Sequence, residues 1–275
     1  MIGRRIGRYR IVAELGQGGL ATVWKARDEL LGRMVALKVL HQSHVASSKA
    51  RRRFLHDAQA AAALDHPGIV AVYDTGIAEG QVYIALAMID GETVCERVSL
   101  GLPPVGEAVR IVRAAAEALG HAHAHGVIHR DVTGRNIMIA RDGRVFVLDF
   151  GLALAAWESR VTTGEGALGT PFYMPPEALL AMPADARTDL YGLGIVLYEA
   201  LTGVFPFPGD RPEAVFYSAL HLPPIPPRDR RPELLADLER LVLKAIARDP
   251  ADRYQTAEEF VAALDDLDED VDAAT

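Results

Sequence analysis

In the first third of the chain, apolar and polar residues alternate over short runs. "YRIVAEL" (9–15), "TVWKA" (22–26), "MVALKVL" (34–40), "IVAVYD" (69–74) and "QVYIALA" (81–87) are separated by Gly, Asp or Pro. Such runs are strand signals. One helix interrupts them, from roughly Ser48 to Leu64, where Ser47 or Ser48 can cap and "AQAAAAL" has strong helix propensity. After "IDGE" (89–92) the pattern lengthens to helical periods over Glu107–His125, Thr188–Leu201, Leu234–Ala247 and Ala257–Leu267. The expected fold is therefore α+β. It has a small β-rich lobe over 1–86 with one main helix, a hinge at 87–91, a larger mainly helical lobe over 92–265, and an acidic tail over 266–275. "DDLDEDVD" in that last region reads as frayed.

Within the helical part the one β signal is "NIMIARDGRVFVLD" (136–149), two apolar runs flanking Asp142 and Gly143. Taking Asp142 and Gly143 as a two-residue turn pairs Arg141 with Arg144 and, counting outward, sets Asn136 opposite Asp149. Two oxygen ligands at one end of a hairpin suit Mg²⁺ and a nucleotide. The same two residues would also serve simply to end two strands.

Composition narrows the classes. With 275 residues and 50% hydrophobic content the chain can bury a sizeable core. The single cysteine, Cys95, excludes a disulfide framework and fits a reducing compartment. The N-terminus lacks a signal-peptide apolar run, and no stretch of about 18 apolar residues forms a membrane span. A net charge of -8 disfavours nucleic acid as a partner. His121 and His125, four apart on a helix, have no evident third metal ligand. "HLPPIPPRDRRP" reads as a surface connection rather than a polyproline ligand.

Three patterns carry chemistry. "LGQGGLATVWKA" puts Gly16, Gly18 and Gly19 between two strands, where backbone amides can approach phosphate; a plain hairpin loop is the bland alternative. No helix and no Gly-Lys-Ser/Thr follows, so the loop reads as a flap over phosphates rather than a helix N-terminal cradle. Lys38 projects from a strand beside small and apolar neighbours, as an anion-pairing lysine or as a snorkelling edge residue. "GVIHRDVTGRNIMI" (126–139) crowds His129, Arg130, Asp131, Arg135 and Asn136 before an apolar run, a costly arrangement unless the charges are paired or used.

From about Tyr9 to Leu264 these pieces resemble a protein kinase domain, most closely the bacterial eukaryotic-like serine/threonine kinases. The match comprises the glycine loop with Val23, "VALK" with Lys38, "HRD" with Asp131 and Asn136, "DFG" with Asp149, and "GTPFYMPPE" with Thr170 and Glu177. Asp189 matches the family's buried helix acid, and Arg253 its usual partner for Glu177. The resemblance implies the bilobal kinase fold and ATP- and Mg²⁺-dependent transfer to protein hydroxyls, with Mn²⁺ as a substitute metal. Asp131 would orient the hydroxyl and accept its proton, Asn136 and Asp149 would hold the metal, and Lys38 the α- and β-phosphates. Val23, Ala36 and Met138 would sandwich the adenine, Ala87 and Met88 read its edge, Asp90 lie near the ribose, and Leu86 control access behind the base. Thr162 and Thr163 would be phosphorylated and pair with Arg130, in a homodimer that allows autophosphorylation.

Three positions depart from the family pattern. Ala21 replaces a glycine, Asp57 replaces the helix glutamate that pairs with Lys38, and Thr133 stands where serine/threonine kinases carry a lysine for the γ-phosphate. Arg135, four residues after Asp131, is where many tyrosine kinases carry the arginine that substitutes for it. "GTPFYMPPE", with Thr170 expected to bridge Asp131, keeps the serine/threonine form. The expectation is a cytoplasmic Ser/Thr protein kinase, or the cytoplasmic domain of a longer membrane-bound protein. A pseudokinase that binds nucleotide or a partner is the alternative, prompted by Asp57 and Thr133.

Overall fold

A computed structural model of the chain describes residues 1–45, 47–150 and 170–273. Thr162 and Thr163 lie outside the described residues, and the side chains of Asp57 and Thr170 outside the described side chains. The described residues divide into two units, one comprising those up to Asp65, Ile69–Asp90 and Asp149 with Phe150, the other His66–Gly68, Gly91–Leu148 and the residues from Thr170 onward.

The first unit is built on six antiparallel strands, β1 (Arg5–Ile6), β2 (Tyr9–Gln17), β3 (Ala21–Asp28), β4 (Met34–Leu40), β5 (Val72–Ala78) and β6 (Gln81–Ala87), in the order β1-β2-β3-β4-β6-β5. Period-two alternation sends Trp24, Ala26, Val35, Leu37, Val39 and Ala85 to one fully buried face, with Tyr9 and Tyr83 edge to face among them. The opposite face carries Val23, Ala36, Lys38 and Leu86, all half-buried. The register sets Val23 beside Lys38 on β3 and β4, and Ala36 beside Leu86 on β4 and β6. The helix Ser48–Ala62 starts where Ser47 accepts the amide of Ala50, and its Phe54 and Ala58 pack with Val82 and Ile84. β5 begins three residues later than "IVAVYD" suggests, because Ile69 and Val70 are buried as connection.

The second unit is mainly helical. Its core is the helix Ala186–Thr202, with every residue from Thr188 to Leu201 buried. A capping box at Asp185 and Thr188 opens it, and Gly203 in the left-handed region closes it. The helices Val105–Ala124 and Ala236–Ala245 pack on it. The helix Ala257–Ala273 packs on Val105–Ala124 through buried Phe260 and Leu264, and Arg113 pairs with Asp265. These anchors explain why the acid-rich segment expected to fray is helical as far as Ala273.

The hairpin of this unit corrects the sequence-based register. β8 (Ile137–Ala140) and β9 (Val145–Val147) pair Ile137 with Val147 and Ile139 with Val145, and β7 (Gly91–Thr93), which the pattern gave no sign of, joins β8. Ala140 exchanges hydrogen bonds with Gly143 and Arg144 across a three-residue loop, Arg141 to Gly143. Gly143 takes φ 84°, the left-handed residue that a three-residue hairpin loop requires. Asn136 is consequently bonded to Leu148, whose amide donates to its carbonyl at 2.8 Å, and is not opposite Asp149.

Candidate active site

In the first unit, Lys38 Nζ lies 2.7 Å from Asp149 Oδ2. The lysine side chain is 12% exposed, so most of its stem is covered by the sheet face that carries it. A cation this enclosed needs an anion, and Asp149 supplies it. Asp149 itself has φ 60°, a conformation uncommon outside glycine and typical of functional turns. Leu86, Val70 and Phe150 line a cavity of about 20 Å³ beside this pair. The glycine loop folds back with the Gly18 amide donating to Ala21 at 2.9 Å, while ideal Cβ atoms on Gly16 and Gly19 would meet nothing within 4 Å. The space over those two glycines is therefore open to a ligand. Ala21, in the place of a glycine, is buried against Leu40 and Phe54.

In the second unit the segment after His129 is held from below. Asp189, 1% exposed, accepts the amides of His129 at 2.8 Å and Arg130 at 2.7 Å, and bonds His123 Nε2 at 2.8 Å. Arg130 has φ 67°, so the acid secures a strained backbone at the residue before Asp131. His129, fully buried, bonds the Leu148 carbonyl through Nε2 at 2.6 Å. Asn136 Nδ2 donates to the Asp131 carbonyl at 2.8 Å and to Asp131 Oδ2 at 3.2 Å. That commits the amide nitrogen and leaves the Asn136 carboxamide oxygen as an acceptor for a cation. Thr133 is buried and Arg135 exposed, so of these two positions the arginine is the one that reaches solvent.

Below the Thr170–Tyr173 turn, Glu177 and Arg253 form a buried bidentate pair, both contacts 2.7 Å. Thr188 donates to Glu177, and the remaining Arg253 donors go to the carbonyls of Ala247, Arg187 and Arg248. Met138 lies on β8; Ala87 ends β6 and Met88 follows it directly, with Asp90 two residues on.

Sequence reasoning missed three residues. His123 sits between His121 and His125, and the i,i+4 pairing of the outer two drew attention from the middle one, which the helix turns inward to Asp189. The rings of the outer pair meet at a tilt with centroids 4.4 Å apart, and His66 packs on His121 at 5.2 Å. Tyr173 and Glu199 are the others: the tyrosine hydroxyl donates to the buried carboxylate. Their meeting is a product of tertiary packing and leaves no mark in local pattern.

The protein kinase domain family matches residues 9–263. The chain belongs to the protein kinase family. It is 45% identical over 263 residues to "Serine/threonine-protein kinase PknB" of Mycobacterium leprae, and 39% identical over 268 residues to "Serine/threonine-protein kinase PrkC" of Bacillus subtilis. These alignments cover 94% and 96% of this chain but 42% and 41% of those proteins, so the kinase domain spans about two-fifths of their length. Among solved structures, the Mycobacterium tuberculosis PknI kinase domain superposes with a TM-score of 0.76 at 30% identity, over 97% of this chain and 98% of that one. The domain is thus a bacterial eukaryotic-like Ser/Thr kinase catalytic domain with the bilobal α+β kinase fold. Among the described residues no helix is long and apolar enough to cross a membrane.

Proposed function

We propose that this domain transfers the γ-phosphate of ATP to serine and threonine hydroxyls of proteins. The observation that carries the reading is the Lys38 to Asp149 ion pair, a lysine and a strained acid enclosed together with each other as partners. The charges that would replace that pairing are those of a metal-bound nucleotide: phosphate for Lys38, a divalent cation for Asp149. Asn136, its amide nitrogen committed to Asp131, keeps its carboxamide oxygen as an acceptor for a cation. An Mg²⁺ held by Asn136 and Asp149, or Mn²⁺ in its place, would neutralise charge on the β- and γ-phosphates.

The chain's own residues do the rest. Asp131 holds the substrate hydroxyl and takes its proton as the new oxygen to phosphorus bond forms, while the bond to the β–γ bridging oxygen breaks and ADP departs. Lys38 holds the α- and β-phosphates, and the open glycine turn of Gly16, Gly18 and Gly19 lies over them. Val23, Ala36 and Met138 bracket the adenine, Ala87 and Met88 read its edge, Asp90 meets the ribose and Leu86 limits the space behind the base. Arg135 supplies the cation that Thr133 lacks. Thr170 shapes the acceptor site and Arg130 receives phosphate on Thr162 or Thr163. A second copy would supply the trans-acting active site for that autophosphorylation. The setting that fits is cytoplasmic, either as a free enzyme or as part of a longer membrane-bound protein.

The test is direct. Asp131→Asn abolishes phosphate incorporation into a generic protein substrate while ATP binding, measured by calorimetry, is retained. Asp149→Asn weakens binding of Mg²⁺-ATP as well as transfer. Full turnover in both variants would remove this reading.

A further inference from the structure

The proline-rich stretch "HLPPIPPRDRRP" (221–232) runs from the end of the helix Pro212–His221 through the short helix Pro227–Arg230, ahead of the helix Ala236–Ala245. It does more than connect them. Leu222, Pro223, Pro224 and Pro226 line a cavity of about 420 Å³ within the second unit, together with Phe207 and, past the end of the helix Ala236–Ala245, Ile246. That volume falls in the range of roughly 300–1,000 Å³ usual for small-molecule sites. Every lining residue but one is apolar, and the exception is Arg248.

The cavity is fixed in shape before anything enters it. Arg248 Nη2 donates to the Leu222 carbonyl at 2.8 Å, the Ile225 amide to the Pro206 carbonyl at 2.9 Å, and Ser218 Oγ to the Pro208 carbonyl at 2.8 Å. The prolines of the wall have their φ angles locked by their rings. An apolar ligand therefore pays little to order the site, and it displaces water to which these walls offer few hydrogen bonds. Arg248 is exposed and forms no ion pair with a carboxylate among the described residues. With only Nη2 engaged, it keeps donors in a fork that matches a carboxylate. Among the described residues no acid lines the cavity to compete for it.

We propose that this cavity binds a fatty carboxylate, the alkyl chain against Phe207, Ile246 and the prolines and the headgroup on Arg248. An apolar chamber with one cation at its edge is complementary to that chemistry: chain burial supplies affinity and the single arginine selects a single negative charge. The site shares no residue with those assigned to phosphoryl transfer and stands independently of that reading.

The probes are the straight-chain carboxylates from octanoate to dodecanoate, with octanol as the uncharged match for octanoate, all below their micelle concentrations. Binding is followed by calorimetry and by the methyl NMR signals of Ile246 and Leu222. A carboxylate of this series binds saturably, one per chain, and shifts those methyls; octanol binds roughly tenfold more weakly than octanoate, a difference of about 1.4 kcal/mol. Arg248→Gln, at an exposed position that leaves folding intact, costs the carboxylates the same factor and octanol nothing. Ala247→Phe, which fills the cavity from its lining, removes binding of both. The proposal is overturned if no carboxylate of the series binds saturably, if octanol matches octanoate, or if a folded Ala247→Phe binds as the parent does. Equal losses for both ligands in Arg248→Gln overturn it as well, because the arginine would then serve only to hold Leu222.

Discussion

Gly134 shows how much of the site is decided by single atoms. The three contacts its missing Cβ would make are all with side chains, Cys95 the nearest at 2.9 Å. Gly134→Ala therefore destabilises the domain by about 1–3 kcal/mol through overpacking, and Cys95→Ala in the same chain restores most of it by removing the sulfur. Urea midpoints of the three variants check this, and equal losses with and without Cys95 would show that the strain lies elsewhere. The sequence displayed Lys38, Asp131, Asn136 and Asp149 because ionisable residues beside apolar runs are conspicuous. It hid His123, Tyr173 and Glu199, since a helix residue's burial beneath a loop depends on what the rest of the chain packs against it.

At the scale of elements, the strands of the first unit were legible because alternation with a period of two survives wherever one face of a sheet is buried, as Trp24, Val35, Leu37 and Val39 illustrate. The helix start was legible to within one residue, Ser47 or Ser48, and Ser47 is the cap. The hairpin was not. Asp-Gly signals a tight turn equally for a loop of two residues or three, and the difference of one moved Asn136 from Asp149 to Leu148. The three-residue loop makes a measurable demand on Gly143. Its φ is 84° and nothing lies within 4 Å of its would-be Cβ, so the effect of a side chain there is conformational alone. Gly143→Ala costs about 1–2 kcal/mol and Gly143→Asn distinctly less, because asparagine tolerates the left-handed region. Equal urea midpoints for the two variants would rule out the left-handed loop.

For the whole molecule, stability has a dependence that surface charge does not share. Glu177 and Arg253, 76 residues apart, are both almost fully buried and neutralise each other through two hydrogen bonds. Glu177→Gln or Arg253→Met leaves one charge stranded and lowers stability by about 3–5 kcal/mol, a loss on the order of 10 °C in melting temperature. The Glu177→Leu, Arg253→Met double variant loses less than either single change, since no lone charge remains, and calorimetric melting of all three decides the matter. The helix Ala186–Thr202 has a different consequence. Asp189 near its start grips the backbone at His129 and Arg130, and Glu199 near its end sits under Gly134. Ten residues separate them, about 15 Å of helix. The loop from His129 to Gly134 is therefore a span clamped at both ends to one buried beam, and its failure is tied to the failure of that beam: losing the loop's geometry and melting the helical unit become a single event.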